Sequence, residues 1–317
     1  MAAGNGAYIV HSGLARNVSD YALESIPIKR TVFPPLLKPY RKNASIVHTV
    51  PEYGDVFFTP ESKSVITFHN FFWDVSYRQF CSLSQRLFYQ FLQMDFVKQA
   101  VDHADAVVAV SEYTASLVRE TFPKAKVSVI LNGVDIHRFT PLKRLVSKTV
   151  NILFSGNPSR RKGRDMLRAV AQQLPANVFL LVTGGLRSVG ADLNHSRIKF
   201  LGQVPYEKMP EVYQQADILL LPSYREGLSL SAMEAMSSGL PIVCYDTSSM
   251  RELIVAQKGG YLSTPDNLAD LMRSLNTLVN NPSEREQFGA YNRSRCEALF
   301  SEERMVAEYI RLFDGLL

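Results

Sequence analysis

Short apolar or β-branched runs alternate along the whole chain with longer stretches of helical period. In the first half the runs are 7–10, 46–50, 65–68, 106–110 and 127–131, with helices expected over 14–25, 83–103 and 112–122. In the second half, strands expected at 150–154, 178–182, 198–201, 218–221 and 242–245 interleave with helical patterns at 164–173, 210–216, 231–238, 268–280 and 302–316. Near-continuous apolar strands separated by amphipathic helices predict parallel sheets covered on both faces. The fold class is therefore α/β, with two Rossmann-like, doubly wound domains. The pattern breaks between them near 140–148, at Pro141 and a run of basic residues. In open parallel sheets ligands bind beyond the carboxyl ends of the strands, so residues just after each strand are the ones to inspect.

Composition excludes several classes. Of 317 residues, 46% are hydrophobic and 21% charged, an ordinary globular balance that argues against disorder. No apolar run approaches the ~18 residues that cross a bilayer, and the first ten residues lack the form of a secretory leader. Three distant cysteines, Cys81, Cys244 and Cys296, make no disulfide framework, and a cytoplasmic protein is expected. The net charge of +5 is unevenly spread: residues 1–150 hold 17 basic against 12 acidic side chains, whereas the remainder balances. Five basic and no acidic residues fall in 27–42, among aromatics and leucines. Such a stretch fits an anionic membrane surface or substrate, or equally a solvated loop. No nucleic-acid module accompanies it.

Three post-strand segments carry chemistry. After 218–221 comes Glu226, then the amides of Gly227, Leu228 and Ser229 leading into a helix, a start that suits a phosphate. Glu234 follows within that helix and can accept from sugar hydroxyls, although Ser231-Ala-Met-Glu234 also fits a capping box. After 150–154 comes Gly156-Asn157-Pro-Ser-Arg160-Arg161-Lys162-Gly163, whose fixed cations fit a leaving group that gains negative charge, or a solvated turn. After 65–68 comes His69, near the only tryptophan, Trp73, either a hydrogen-bonding site residue or a core histidine. No second ligand stands at metal spacing beside it. No G-x-G-x-x-G, P-loop or G-x-S-x-G is present.

The arrangement E-G-x-x-L-x-x-x-E-A-M-x-x-G-x-P-I-V over 226–243 resembles the signature of the retaining nucleotide-sugar glycosyltransferases of family 4. Ala104-Asp-Ala-Val-Val-Ala-Val-Ser-Glu112 and Asn132-Gly-Val-Asp135 with Arg138-Phe-Thr-Pro141 resemble family segments too, so the likeness runs from about residue 64 onward. It implies the GT-B architecture, two domains facing a central cleft: an acceptor-binding domain over 1–142, a nucleotide-sugar domain over 143–301, and a last helix, 302–317, crossing back to the first. It further implies hexosyl transfer from a nucleotide-diphosphate sugar to a saccharide or lipid-linked hydroxyl, with retention and by front-face attack. Lys162 matches the family lysine on the donor diphosphate. Asn157 stands where an arginine is common, which leaves Arg160 or Arg161 to supply the second cation. Glu226 would take sugar hydroxyls, Glu234 the ribose, Val204 and its neighbours the base, and His69 the transferred sugar. Gly13 is expected in a loop approaching the donor, and Gly156 and Gly184-Gly185 in close backbone approaches. No cofactor or metal is expected, since a D-x-D pair is missing from the tract, and peripheral attachment at the inner membrane face is expected through 27–42. A binding protein without catalysis, or an epimerase or phosphorylase of the same architecture, would share these features.

Overall fold

The computed structural model describes residues 1–2, 6–142, 149–184 and 193–317. The described chain falls into two compact units, Met1–Gly133 with Glu302–Leu317, and Val134–Ser301.

In the first unit four strands, β1 (Ile46–Thr49), β2 (Lys63–Phe68), β3 (Ala106–Ala109) and β4 (Val127–Val129), form a parallel sheet in that order. Helices α1 (Gly6–Asn17), α2 (Val75–Arg78), α3 (Leu83–Phe88), α4 (Met94–His103) and α5 (Glu112–Thr121) belong to the same unit. A π turn over Tyr89–Gln93 joins α3 to α4, so the single helix expected over 83–103 is continuous but bulged.

The expected strand at 7–10 is instead part of α1. Four apolar residues are too few to separate a strand from a helix turn. What decides is the continuation, in which Val10, His11, Gly13 and Leu14 share one buried helical face.

The second unit holds β5 (Val150–Phe154), β6 (Val178–Gly184), β7 (Ile198–Gln203), β8 (Ile218–Leu221), β9 (Ile242–Tyr245) and β10 (Gly260–Ser263). The sheet is parallel throughout, in the order β10-β9-β8-β5-β6-β7. Its helices are α6 (Arg164–Gln173), α7 (Met209–Gln214), α8 (Leu230–Ser237), α9 (Met250–Leu253), α10 (Leu268–Asn280) and α11 (Pro282–Leu299). The chain winds outward from β5 to β7, then returns to β8 beside β5 and winds the other way. The topological switch point is therefore between the carboxyl ends of β5 and β8, where a crevice must open.

Strand β10 and helix α11 have no counterpart in the sequence pattern. The buried face of α11 reads Phe288, Gly289, Asn292 and Cys296 rather than leucines. A side chain at Gly289 would lie 2.1 Å from the carbonyl of Gly239, so the helix packs directly on backbone. Asn292 Nδ2 donates to the carbonyls of Leu240 and Gly259 at 2.8 and 2.6 Å. Close backbone packing and amide recognition take the place of an apolar stripe on this helix.

The boundary between units lies at Gly133/Val134, ahead of Pro141. Arg293 Nη1 of α11 donates to the carbonyls of Ile136, Phe139 and Ser237 at 2.8–2.9 Å, which ties the segment before Pro141 to the second unit. The basic residues 143–148 lie outside the described residues. The last helix, α12 (Glu302–Asp314), is part of the first unit. Its Met305, Val306 and Tyr309 are buried, Arg304 donates to the Leu131 carbonyl at 3.1 Å, and Arg16 pairs with Glu302 at 2.8 Å.

Candidate functional site

The loop after β5 is shaped by two glycines. Gly156 (φ +122°) and Gly163 (φ +77°) occupy left-handed backbone that a side chain strains. A Cβ on Gly156 would lie 2.8 Å from Lys162 Nζ, so the missing side chain is the space that the ammonium fills. The Gly156 N–H donates to Thr183 Oγ1 at the end of β6 (2.7 Å), which anchors the loop to the neighbouring strand. Ser159 caps the 3₁₀ turn Arg160–Lys162 by accepting from the Lys162 N–H.

That turn divides the three consecutive cations, because successive residues of a 3₁₀ turn point about 120° apart. Arg160 is 82% exposed and turns to Asp165 at 3.4 Å, away from the others. Arg161 (22%) and Lys162 (17%) turn inward, to 3.4 and 3.9 Å from Glu226 Oε1. Arg161 Nη1 also donates to the Arg225 carbonyl. Of the two arginines considered for the place of Asn157, Arg161 stands with the lysine and Arg160 does not.

Glu226 follows β8. Its own N–H donates to Ser248 Oγ (3.0 Å), and its carbonyl accepts from Arg225 Nη1 (3.2 Å) and Ser249 Oγ (3.3 Å). Burial opposes its ionisation, but Arg161 and Lys162 outweigh that cost and hold the carboxyl below its usual range. Glu226 is therefore ionised and held at the switch point. Arg225, wholly buried beneath it, was not visible in the sequence, where it is one more loop arginine.

The capping box that Ser231 and Glu234 also fit does not form. The N-cap of α8 is Ser229, whose hydroxyl accepts from the Ala232 N–H at 3.3 Å. Ser231 is then inside the helix, and Glu234 lies two residues beyond the position, Ala232, from which a side chain reaches back to the cap. Glu234 is instead buried, its Oε2 accepting from the Tyr213 hydroxyl at 2.7 Å, while Tyr213 also meets Ser155 Oγ at 2.8 Å. Sequence periodicity marked the segment holding Tyr213 as helix without marking this hydroxyl. Gly227 and the buried Leu228 lead directly into the Ser229 cap.

Burial raises the Glu234 carboxyl to about 7, against the lowering influence of Tyr213, Tyr206, Lys162 and Arg138. The folded chain thus binds a proton here that the unfolded chain has released, so stability falls as pH rises from about 4.5 through about 7. The full penalty, on the order of 2–4 kcal/mol, is present above that window. Glu234→Gln is accordingly expected to raise the melting temperature by several degrees at pH 8.5 and to leave it unchanged at pH 4. Thermal unfolding of both proteins at the two pH values checks this, and an equal shift at both would contradict it.

Val204 is half-buried just beyond β7, and Gly202 before it has φ +69°. Arg138 Nη2 donates to the Tyr206 carbonyl at 2.9 Å with its guanidinium 4.5 Å from the Tyr206 ring centroid. Gly184 ends β6, and Gly185 lies outside the described residues.

Two candidates fall in the first unit. Gly13, expected in a loop, is in the middle of α1, where a Cβ would lie 2.4 Å from Glu302 Oε2; the glycine admits the close approach of α12. His69 follows β2 and is half-buried, with Nε2 3.4 Å from His11 Nε2. His11 Nδ1 meets the Tyr21 hydroxyl at 2.5 Å, and that hydroxyl meets His48 Nδ1 at 3.0 Å. His48 Nε2 is 2.8 Å from Thr67 Oγ1, itself 3.0 Å from the Tyr309 hydroxyl. Burial depresses all three imidazoles, His48 to about 3 and His69 to about 4, so they are neutral at pH 7. His11 and His48 had no signal in the sequence, because nothing in their spacing links them to His69. Among the described residues no group of three His, Cys, Asp or Glu is arranged to hold a metal ion, and no helix is long and apolar enough to cross a membrane.

Two family models match the chain, Glycosyltransferase Family 4 over residues 16–138 and Glycosyl transferases group 1 over residues 141–295. A D-inositol 3-phosphate glycosyltransferase of Corynebacterium diphtheriae is 30% identical over 222 residues, 61% of this chain and 52% of that protein. The counterpart from Corynebacterium urealyticum is 25% identical over 249 residues, 69% of this chain and 58% of that one. The chain thus spans a little over half the length of these curated relatives. In fold it is similar to Anabaena HepE, solved in complex with UDP-glucose, with a TM-score of 0.79 at 18% identity over 100% of this chain and 98% of that one. With a group 1 match on one half, a family 4 match on the other and two parallel-sheet units, the chain belongs to the group 1, family 4 glycosyltransferases of GT-B fold.

Proposed function

We propose that the protein transfers a hexosyl group from a nucleotide-diphosphate sugar to a hydroxyl acceptor, with retention and without a metal ion. The observation that carries this reading is the grouping of Lys162, Arg161 and an ionised Glu226 at the switch point of the second sheet. When the bond from the anomeric carbon to the diphosphate breaks, the leaving oxygen takes the electron pair. Fixed cations aimed at that developing charge lower the barrier. Lys162 and Arg161 have this role, with the amides of Gly227, Leu228 and Ser229 beside them. The acceptor oxygen bonds to the anomeric carbon on the same face, and its proton passes to the departing diphosphate. Glu226 accepts from sugar hydroxyls and Glu234 from the ribose; the pH response of Glu234 then makes donor affinity decline below about pH 7. We assign the acceptor to the first unit, with His69 touching the transferred sugar or the acceptor. The UDP-glucose complex of HepE, a protein of the same fold, supports a nucleotide sugar as donor. Incubation with a panel of nucleotide sugars and saccharide or lipid-linked acceptors tests the reading: a glycoside that keeps the donor's anomeric configuration, with released nucleoside diphosphate, is expected, and release of nucleotide without any glycoside would defeat it.

A membrane-proximal acceptor is supported by residues 27–42. Two 3₁₀ segments, Ile28–Val32 and Pro34–Tyr40, are pinned by buried Pro34 and Leu37. They leave Ile28, Val32, Phe33 and Leu36 exposed among exposed Lys29, Arg30, Lys38 and Lys42. Basic residues contribute about 1 kcal/mol each at an anionic surface, screened by salt. Co-sedimentation with phosphatidylglycerol vesicles is expected at low salt and not at 0.5 M salt. Charge reversal at Lys29, Arg30 and Lys42 should abolish it; Arg41 is left in place because its Nε donates to the Val56 carbonyl.

A further inference from the structure

The first unit contains a polar chain that reaches from the last helix to His69: Tyr309, Thr67, His48, Tyr21, His11 and His69, each in hydrogen-bond contact with the next. In their neutral forms each of these groups carries one exchangeable hydrogen, and each contact requires one. Among the described residues the Thr67 and Tyr21 hydroxyls have no acceptor outside the chain, so each spends its hydrogen within it, and two arrangements remain, with every hydrogen pointing toward His69 or every hydrogen pointing toward Tyr309. The inner end chooses between them. The Tyr309 side chain is fully buried, and among the described residues its hydroxyl has no hydrogen-bond partner but Thr67 Oγ1. If Thr67 donated to it, the phenolic hydrogen would be buried without an acceptor, which is the costly outcome for a polar group. Tyr309 therefore donates to Thr67, Thr67 to His48 Nε2, His48 Nδ1 to Tyr21, Tyr21 to His11 Nδ1, and His11 Nε2 to His69 Nε2.

We infer that Tyr309, Thr67, His48, Tyr21 and His11 form a positioning relay that holds His69 as its Nδ1–H tautomer. Free imidazole side chains favour the other tautomer, so the relay imposes the state in which Nε2 is an acceptor and Nδ1 is left to donate. Through it a residue on the last helix sets the hydrogen-bonding character of a side chain 240 positions earlier (309 minus 69). Its consequence for transfer rests on the reading of His69 as a residue that touches the sugar or acceptor; the tautomer does not.

Two-bond proton–nitrogen correlation spectra of the ¹⁵N-labelled full chain at pH 7.5 test this, with the His69 signals assigned by their loss in His69→Gln. The wild type is expected to carry the ring hydrogen of His69 on Nδ1. Tyr21→Phe cuts the relay at a half-buried position and should move His69 toward Nε2–H, with kcat about tenfold lower and the donor KM unchanged. Tyr309→Phe, which removes only the terminal donor, should give a mixture of tautomers. An Nε2–H His69 in the wild type, or a tautomer unchanged in both tyrosine variants, overturns the relay. A changed tautomer with unchanged kcat removes its part in transfer. An Nδ1–H His69 in a chain that forms no glycoside leaves the relay standing and overturns the proposed function.

Discussion

Alanine in place of Lys162 is expected to lower kcat by about 10²–10³-fold, the loss found when one fixed donor to a developing oxyanion is removed. Lys162 is mostly buried, its ammonium set into the space left by Gly156 and 3.9 Å from Glu226 Oε1. Its loss acts twice. One cation is withdrawn from the leaving group, and the Glu226 carboxyl, whose burial already opposes ionisation, keeps Arg161 as its remaining cationic partner among those described. Glu226→Gln should produce a loss of similar size by removing the charge while keeping the shape. Arg160→Ala should change kcat by less than threefold, because Arg160 turns to Asp165. Steady-state kcat for the three variants, with melting temperatures to exclude unfolding, decides the matter. Near wild-type turnover in both Lys162→Ala and Glu226→Gln would remove the switch-point cluster from the reaction.

Gly163→Ala should be the most destabilising single change in the loop. The residue has φ +77°, and an added Cβ would lie 2.1 Å from the Pro222 carbonyl oxygen, a backbone atom that cannot turn aside. Left-handed backbone costs an alanine about 1–2 kcal/mol and overpacking about 1–3 kcal/mol more. A total of about 3 kcal/mol corresponds to a fall in melting temperature on the order of 10 °C for a unit of this size. The displaced backbone also carries Arg161 and Lys162, so kcat should fall with stability. Gly202→Ala separates the two contributions: its φ is +69°, but nothing lies within 4 Å of the added atom, so only the conformational cost should appear. Equal melting temperatures for the two variants would show that the Pro222 contact is relieved cheaply.

Much of this chain is legible without its structure. Each buried strand of the second sheet before β10 announces itself as a run of apolar residues, because a parallel strand covered on both faces has no polar side to show. The Glu226 and Lys162 loops are equally visible, since charge beside a glycine a few residues after such a strand marks a place where backbone turns and side chains gather. Helix α11 is less so, because its packing surface is made of Gly289, Asn292 and Cys296. Periodicity detects apolar area, whereas close approach and amide hydrogen bonding leave no such trace.

What the sequence by itself determined is the alternation of strands and helices, and with it the α/β class and the post-strand positions of Glu226, Lys162 and His69. These are local properties, set by which side chains tolerate burial and which backbone positions demand glycine. Tertiary structure alone decided that 7–10 is helix, through the buried face it shares with Leu14. It also decided that Glu234 meets Tyr213 rather than a cap, that Arg161 turns inward where Arg160 does not, and that His11 and His48 stand behind His69. Each of these depends on the direction of a side chain relative to a partner distant in sequence, and direction is fixed by packing. A one-dimensional pattern holds the period of the chain but not the facing of its elements.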